Sequence, residues 1–494
     1  MALTIGLCLI PLFLTPLLPS IDFYAHVARY YALAHVGTDS ALAANYQESW
    51  RLLPNLGLDV IGTGLMTILP PFLGAKVIAA MIILSVIGGT LLLARAVQGL
   101  LRPVNLALAG LAGYSFVLGW GFSNFLFATG ISLCGVAGWI MLRERPGRQL
   151  ALAMLLGVLI MLMHGLAFGL WGLMLFLVEV MLIGQTQGFK LATLVWRSIR
   201  LGLVAILPAL LFISSQTAKG GEPVIAALGN LANHASAGTL KARLIQECWD
   251  RADSFLRVVE STWPMADRLF GLLLWGLIGW GLLRGQLRLA PVMRLVTAVF
   301  ALMVVIMPPN LFGVGHLDER IPLILFALLA SGLSAGRGSA GLVRGLVVLF
   351  VGHLLIVALG WAYQGQSYRK FLAAAEQLPT EGLAQAVFSE ETQGRDGGRA
   401  CKPLLFALLL QNQIAVPTFA NQTQQPLRLI GPLQEALNRQ KSGTVGPDTA
   451  QRIEAARASG FDTVITCEPV ATPVEVPGMR LVGADGQWAI YHAD

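Results

Sequence analysis

The stretch Pro19-Ser20-Ile21-Asp22-Phe23-Tyr24-Ala25-His26-Val27-Ala28-Arg29-Tyr30-Tyr31 sets a carboxylate, an imidazole and a guanidinium four and then three residues apart. On a helix with Ser20 as its candidate N-cap, Asp22, His26 and Arg29 share one face. Phe23, Val27 and Tyr30 form the adjoining apolar stripe, suited to a helix lying in a membrane interface. An acid beside two potential cations suits acid–base or anion chemistry; the same pattern also fits a solvated amphipathic helix with one ion pair. A second cluster, His316-Leu317-Asp318-Glu319-Arg320, packs four polar groups into five residues, with Pro322 just beyond. His164 stands alone in the short turn Met163-His164-Gly165. No phosphate-cradling GxxxxGK[ST], dinucleotide GxGxxG after a strand, HExxH or GxSxG motif is present.

These residues must be carried by membrane elements. Of 494 residues, 55% are apolar and 12% charged, and the mean hydropathy is +0.69. Soluble chains run nearer 45–50% apolar and about 25% charged, so an ordinary cytosolic enzyme, a disordered chain and a disulfide scaffold are all excluded. Apolar runs of about 20 residues read as helices crossing a bilayer. Eleven are expected, at about 2–18, 76–97, 104–121, 124–142, 149–164, 166–184, 201–216, 268–283, 292–309, 320–336 and 343–363. Residues 56–73 are also apolar, but they hold Asp59 and the Pro70-Pro71 pair and are expected to be re-entrant or interfacial.

The basic residues set the expected orientation. Arg95, Arg102, Arg143, Arg145, Arg148, Lys190, Arg197, Arg200, Arg284, Arg288, Arg294, Arg337 and Arg344 fall in one set of connections, with Glu144 the lone acid among them. Cytoplasmic loops carry such an excess, so the N-terminus is expected inside. The long loops 19–75 and 217–267, and the tail, are expected outside a bacterial plasma membrane. The net charge of +7 is then a topogenic signal, and nucleic acid is not expected as a partner. Five of the seven histidines, His26, His35, His164, His234 and His316, fall at the outer face. In the second loop, Leu240, Leu244, Cys248, Phe255 and Val259 share a helical face and are expected to cap a cavity.

The tail, 364–494, alternates strand-like and helix-like segments and is expected to form a small extracytoplasmic α/β domain beside a transmembrane domain of residues 1–363. Cys401 and Cys467 both lie in it, where a bridge is one arrangement open to them.

A first span ending in proline, Pro19-x-x-Asp22-x-x-x-His26-x-x-Arg29, two interfacial segments in the first loop, Arg320-x-Pro322 and an external tail ending in a Trp/Tyr strand together resemble the GT-C glycosyltransferase superfamily. That resemblance implies inverting transfer of a sugar from a polyprenyl-phosphate donor to a glycan, lipid or protein acceptor at the outer face. It implies Asp22 as general base, with His26 and Arg29 orienting it or binding phosphate. Arg320 and His316 would stabilise the leaving group. Glu48, Asp59, Asp318, Glu319 and His164 are candidates for acceptor binding or for a divalent cation, Mg or Mn. The rival readings are a non-catalytic subunit of a cell-envelope polysaccharide machine and a lipid or glycan transporter.

Overall fold

The computed structural model describes residues 2–187, 191–215, 240–310, 315–388, 395–420, 424–442, 448–467 and 473–494. Lys190, His234 and the sequon Asn421-Gln422-Thr423 lie outside them. The chain runs α1 (Ala2–Leu14), α2 (Phe23–His35), α3 (Ser40–Asn45), β1 (Tyr46–Glu48) and α4 (Gly57–Ile68). Then come α5 (Pro71–Gln98), α6 (Pro103–Ala112), α7 (Phe116–Trp120), α8 (Ser123–Met141), α9 (Pro146–Met163), α10 (Gly165–Gln187) and α11 (Leu191–Ser214). After the second loop follow α12 (Leu240–Leu256), α13 (Pro264–Leu283), β2 (Leu287–Leu289), α14 (Arg294–Ile306), α15 (Leu317–Gly332), β3 (Leu333–Ala335) and α16 (Ala340–Ala375). The tail holds β4 (Ala384–Phe388), α17 (Arg395–Asn412), β5 (Leu427–Leu429), α18 (Gly431–Ser442), α19 (Thr449–Ala458), β6 (Thr463–Cys467), β7 (Met479–Ala484) and β8 (Ala489–Ala493).

A helix stands at each of the eleven expected spans. Among the described residues, eight helices are long and apolar enough to cross a membrane; α1, α14 and α15 are shorter. Proline opens α5, α6, α9 and α13 at the first turn, where its missing N–H costs nothing. Large apolar side chains face outward along the long helices, among them Met265 and Leu283 of α13 and Val348 of α16. Exposed apolar surface of that extent needs lipid against it, and the protein is a multi-pass membrane protein. The helix α4 has 12 residues, about 18 Å at 1.5 Å per residue, against a hydrocarbon core of about 30 Å. It therefore does not cross, and α5 begins at Pro71 rather than at 76.

Successive helices alternate direction, so their connections sort into two ends. One end gathers the C-terminus of α5, the α8–α9 turn, the start of α11 and the α13–α14 and α15–α16 connections, which carry every basic residue of the expected set except Lys190. There β2 pairs antiparallel with β3, Asn105 donates to the Ala330 and Leu333 carbonyls, and Gln98 donates to those of Ser331 and Leu333. The other end holds α2, α4, the starts of α8, α10 and α15, and the tail.

At 36 residues, α16 is about 54 Å long. It outruns a bilayer core and carries the chain past residue 364 without a break. The tail's sheet, in strand order β4-β6-β8-β7, is fastened to that projecting end. Trp488 donates to Ser367 Oγ at 3.0 Å, and its ring meets Phe371 edge-on at 5.2 Å. Parallel β4 and β6 pack against α17, which the Cys401–Cys467 disulfide ties to the end of β6. A second seam joins the tail to the first loop, where β1 pairs antiparallel with β5, Tyr46 opposite Leu429.

Candidate functional site

Asp22 is positioned by backbone. Its N–H donates to the Trp120 carbonyl at 3.0 Å, and that of Ile21 to Gly119. Gly121 makes this approach possible. Its φ is +87°, and a Cβ there would stand 2.4 Å from the Phe23 nitrogen, so a side chain would push the Asp22 backbone away. Asp22 itself, not Ser20, occupies the N-cap position of α2, with no side-chain capping bond. Ser20 donates instead to the Leu118 carbonyl. The carboxylate is left to face a cavity of about 420 Å³, which His26, Arg29, His164 and Arg320 also line.

The expected interfacial helix is an interior one. Phe23, Val27 and Tyr30 are buried, because α2 is covered by α4 on one side and by α17 on the other. The covering has a charged core. Arg29 Nε donates to Asp59 Oδ1 at 2.6 Å, the side chains 1% and 0% exposed. Arg29 Nη2 lies 3.0 Å from His26 Nδ1. A guanidinium only donates, so Nδ1 accepts and the His26 proton sits on Nε2. Burial, and then the Arg29 charge, hold this imidazole well below its ordinary pKa. His26 is therefore neutral and carries no charge toward an anion.

The opposite wall rests on aromatic rings. The Arg320 guanidinium lies 4.1 Å over Phe122 and 5.1 Å from the Phe125 centroid, which favours the cation electrostatically. Its Nη1 is 3.3 Å from His164 Nε2, which must accept, leaving the proton on His164 Nδ1. Burial and the neighbouring Arg320 hold His164 down to about 3. His316 takes a left-handed backbone, φ +56°, uncommon outside glycine. Its ring lies 4.5 Å from Trp120 and 5.6 Å from Phe122, and its Nδ1 meets Glu319 Oε2 at 3.0 Å.

The tail roofs the cavity with Thr418, Phe419, Ala420, Gln424 and Gln425. Thr418 donates to the Ala25 carbonyl at 2.6 Å, Phe419 packs 5.0 Å from His26, and Tyr46 OH exchanges hydrogen bonds with both backbone groups of Val416. From α17, Lys402 Nζ reaches to 3.7 Å from Asp22 Oδ1. Burial pushes the Asp22 carboxyl above its ordinary value, while the Lys402 and His316 charges pull against that rise.

Five of the expected residues thus meet at one cavity: Asp22, His26, Arg29, His164 and Arg320. His316 borders them through Asp22 and Phe122. The others part company. Asp59 is committed to Arg29. Glu48 is exposed on β1, where its carboxylate takes the Trp50 indole N–H. Asp318 and Glu319 sit in the first turn of α15, outside the cavity lining. The second-loop helix, α12, packs on α13, α14 and α15 and supplies none of the described lining; the tail roofs the cavity instead.

Lys402, Asn55, Asn124, Thr418–Ala420, Gln424 and Gln425 are absent from the sequence-based set. No local pattern marks them, since each joins the site through long-range contact. Among the described residues no three His, Cys, Asp or Glu side chains converge to hold a metal. Asp22 is answered by an ammonium group, and Asp59 by a guanidinium. The set expected to offer a divalent cation does not assemble.

No protein-family model and no curated protein sequence matches the chain. It is similar to the crystal structure of ArnT from Cupriavidus metallidurans in the apo state, at 15% identity and a TM-score of 0.49, over 99% of this chain and 96% of that one. It is also similar to the crystal structure of the Archaeoglobus fulgidus oligosaccharyltransferase tethered with an acceptor peptide containing the NVT sequon. There the identity is 11% and the TM-score 0.41, over 94% of this chain and 68% of that one. At these scores the likeness brings no donor, acceptor or residue role to this chain.

Proposed function

We propose that the chain is a membrane glycosyltransferase of GT-C type. In this reading it moves a sugar, with inversion, from a polyprenyl-phosphate donor to a hydroxyl of a glycan, lipid or protein acceptor. The reaction takes place at the extracytoplasmic face of a bacterial plasma membrane. The observation that carries the proposal is a single carboxylate, Asp22, facing Arg320 across one cavity at the helix ends remote from the basic connections. The excess of arginine at the far end supports a cytoplasmic position for that end. The N-terminus is then inside, and the tail, 364–494, is outside as the roof of the site.

The cavity lies where a lipid-linked phosphate would sit, level with the ends of the spanning helices. Asp22 takes the proton of the acceptor hydroxyl as that oxygen attacks the anomeric carbon. The bond from that carbon to the phosphate oxygen breaks, and polyprenyl phosphate leaves. Burial raises the proton affinity of Asp22, which suits a base near neutral pH, and the Lys402 charge opposes that rise. Arg320, braced on Phe122 and by His164, and His316 face the phosphate as charge develops on it. Arg29 positions α2 through Asp59 and offers its remaining N–H to the cavity.

The test is turnover of purified protein on polyprenyl-phosphate hexose and pentose donors. Asp22→Asn keeps the size of the side chain and removes the base, and is expected to lower turnover by about 10²–10⁴-fold while donor still binds. Near-normal turnover in Asp22→Asn overturns the assignment.

A further inference from the structure

The buried polar atoms left without partners around the cavity divide by chemistry. Arg29 Nη1 and Arg320 Nε are donors, as is the protonated Nδ1 of His164; Asn55 Oδ1 and Asn124 Oδ1 are acceptors. For Asn124 the assignment is fixed. Its Nδ2 donates to the Asn55 carbonyl at 2.8 Å, and that oxygen can only accept, so the amide cannot be turned about. Asn124 is 6% exposed. A buried acceptor with no donor costs about 1–3 kcal/mol and calls for an occupant. An ionised phosphate brings only acceptor oxygens, so it can meet the arginines but not the two unpaired amide oxygens, Asn55 Oδ1 and Asn124 Oδ1. Hydroxyl groups meet the asparagines. An ammonium group would seek a carboxylate, and the two nearest are already answered, Asp59 by Arg29 and Asp22 by Lys402.

We infer that Asn55 and Asn124 form a subsite for an uncharged, hydroxyl-bearing ring, set beside the cationic wall that faces phosphate. The inference rests on the donor reading above and narrows it to a class of sugar, neutral rather than amino or acidic. The ring is either the donor's transferred sugar or the acceptor's own, which present the same hydroxyls.

Asn55 offers a clean test, because its φ of +77° is one that glycine adopts freely. Asn55→Gly therefore deletes the carboxamide and leaves the backbone at ease. Binding of decaprenyl phosphate and of decaprenyl-phosphate hexose is measured on the full chain in detergent. In the wild type the hexose is expected to improve affinity about tenfold, the worth of roughly one well-made hydrogen bond. Asn55→Gly is expected to abolish that gain and leave decaprenyl phosphate within about twofold. Asn124→Asp, of the same shape, is expected to weaken the neutral hexose and favour its 2-amino analogue. If the two lipids bind alike but a free neutral oligosaccharide loses affinity in both variants, the ring belongs to the acceptor and the subsite stands. Affinities for all three ligands that ignore both variants overturn it. Failure of the wild type to bind either lipid overturns the donor reading instead, and the oligosaccharide then decides the subsite by itself.

Discussion

Two ion pairs anchored on α2 and its N-cap are built in opposite ways. Arg29 and Asp59 meet at 2.6 Å with 1% and 0% of their side chains exposed. Asp22 and Lys402 stand 3.7 Å apart with 23% and 36% exposed. The first is closed to water and ties two segments of the first loop together. The second is loose, faces the cavity and joins the first loop to the tail. Burial makes a pair rigid at the cost of availability, and a group that must exchange a proton needs the reverse. On this comparison, damage to the first pair should show as lost stability and damage to the second as altered chemistry.

The largest stability effect is expected at the closed pair. Asp59→Ala leaves a buried guanidinium without its counter-ion, and breaking such a pair typically costs about 3–5 kcal/mol. A lowered thermal midpoint in detergent should report it. Replacing both partners, Arg29→Met with Asp59→Leu, should recover most of the loss, since apolar substitutes of similar size remove the orphaned charge. If Asp59→Ala melts with the wild type while turnover alone falls, the pair is part of the chemistry and the contrast is wrong.

A smaller loss is expected from the tail. The Cys401–Cys467 disulfide closes a sequence separation of 66 residues and holds the turn of α17 that carries Lys402. Cys401→Ser should cost about 2–4 kcal/mol, read as a thermal midpoint no longer sensitive to reductant. If the bridge also fixes the roof, turnover will fall at temperatures well below that midpoint.

What the sequence made legible follows the range of each interaction. The helices crossing the membrane come from runs of apolar residues, and the shared face of Asp22, His26 and Arg29 from helical periodicity. Both are local and survive any packing. The Arg320 cluster was legible as an excess of polar groups at the mouth of a span. The partners were not. Asp59 looked like a candidate ligand because nothing nearby in sequence reveals that α4 folds back onto α2. Lys402 carried no signal at all, lying in a helix whose pattern speaks only of its own packing. Glu48 misled because β1 is defined by a strand, β5, from the far end of the chain.

The finest distinction between the two pairs is expected in a pH profile. As the proposed base Asp22 acts only when ionised, so turnover is expected to show an acid limb set by its carboxyl. Burial raises that carboxyl, while Lys402 and His316 oppose the rise. Lys402→Met removes one opposing charge. The carboxyl then holds its proton to higher pH, the acid limb moves upward, and turnover falls most on the acid side while the plateau changes least. Lys402→Arg restores a cation and should return the limb toward its original place. His164, held down to about 3, contributes no limb between pH 5 and 8, where an ordinary histidine would. The same scan on Asp59→Asn should change the amount of folded protein and leave the limb where it was. A limb that stays fixed in Lys402→Met, or moves to lower pH, would show that the tail does not set the charge of Asp22. The two pairs would then differ in tightness alone.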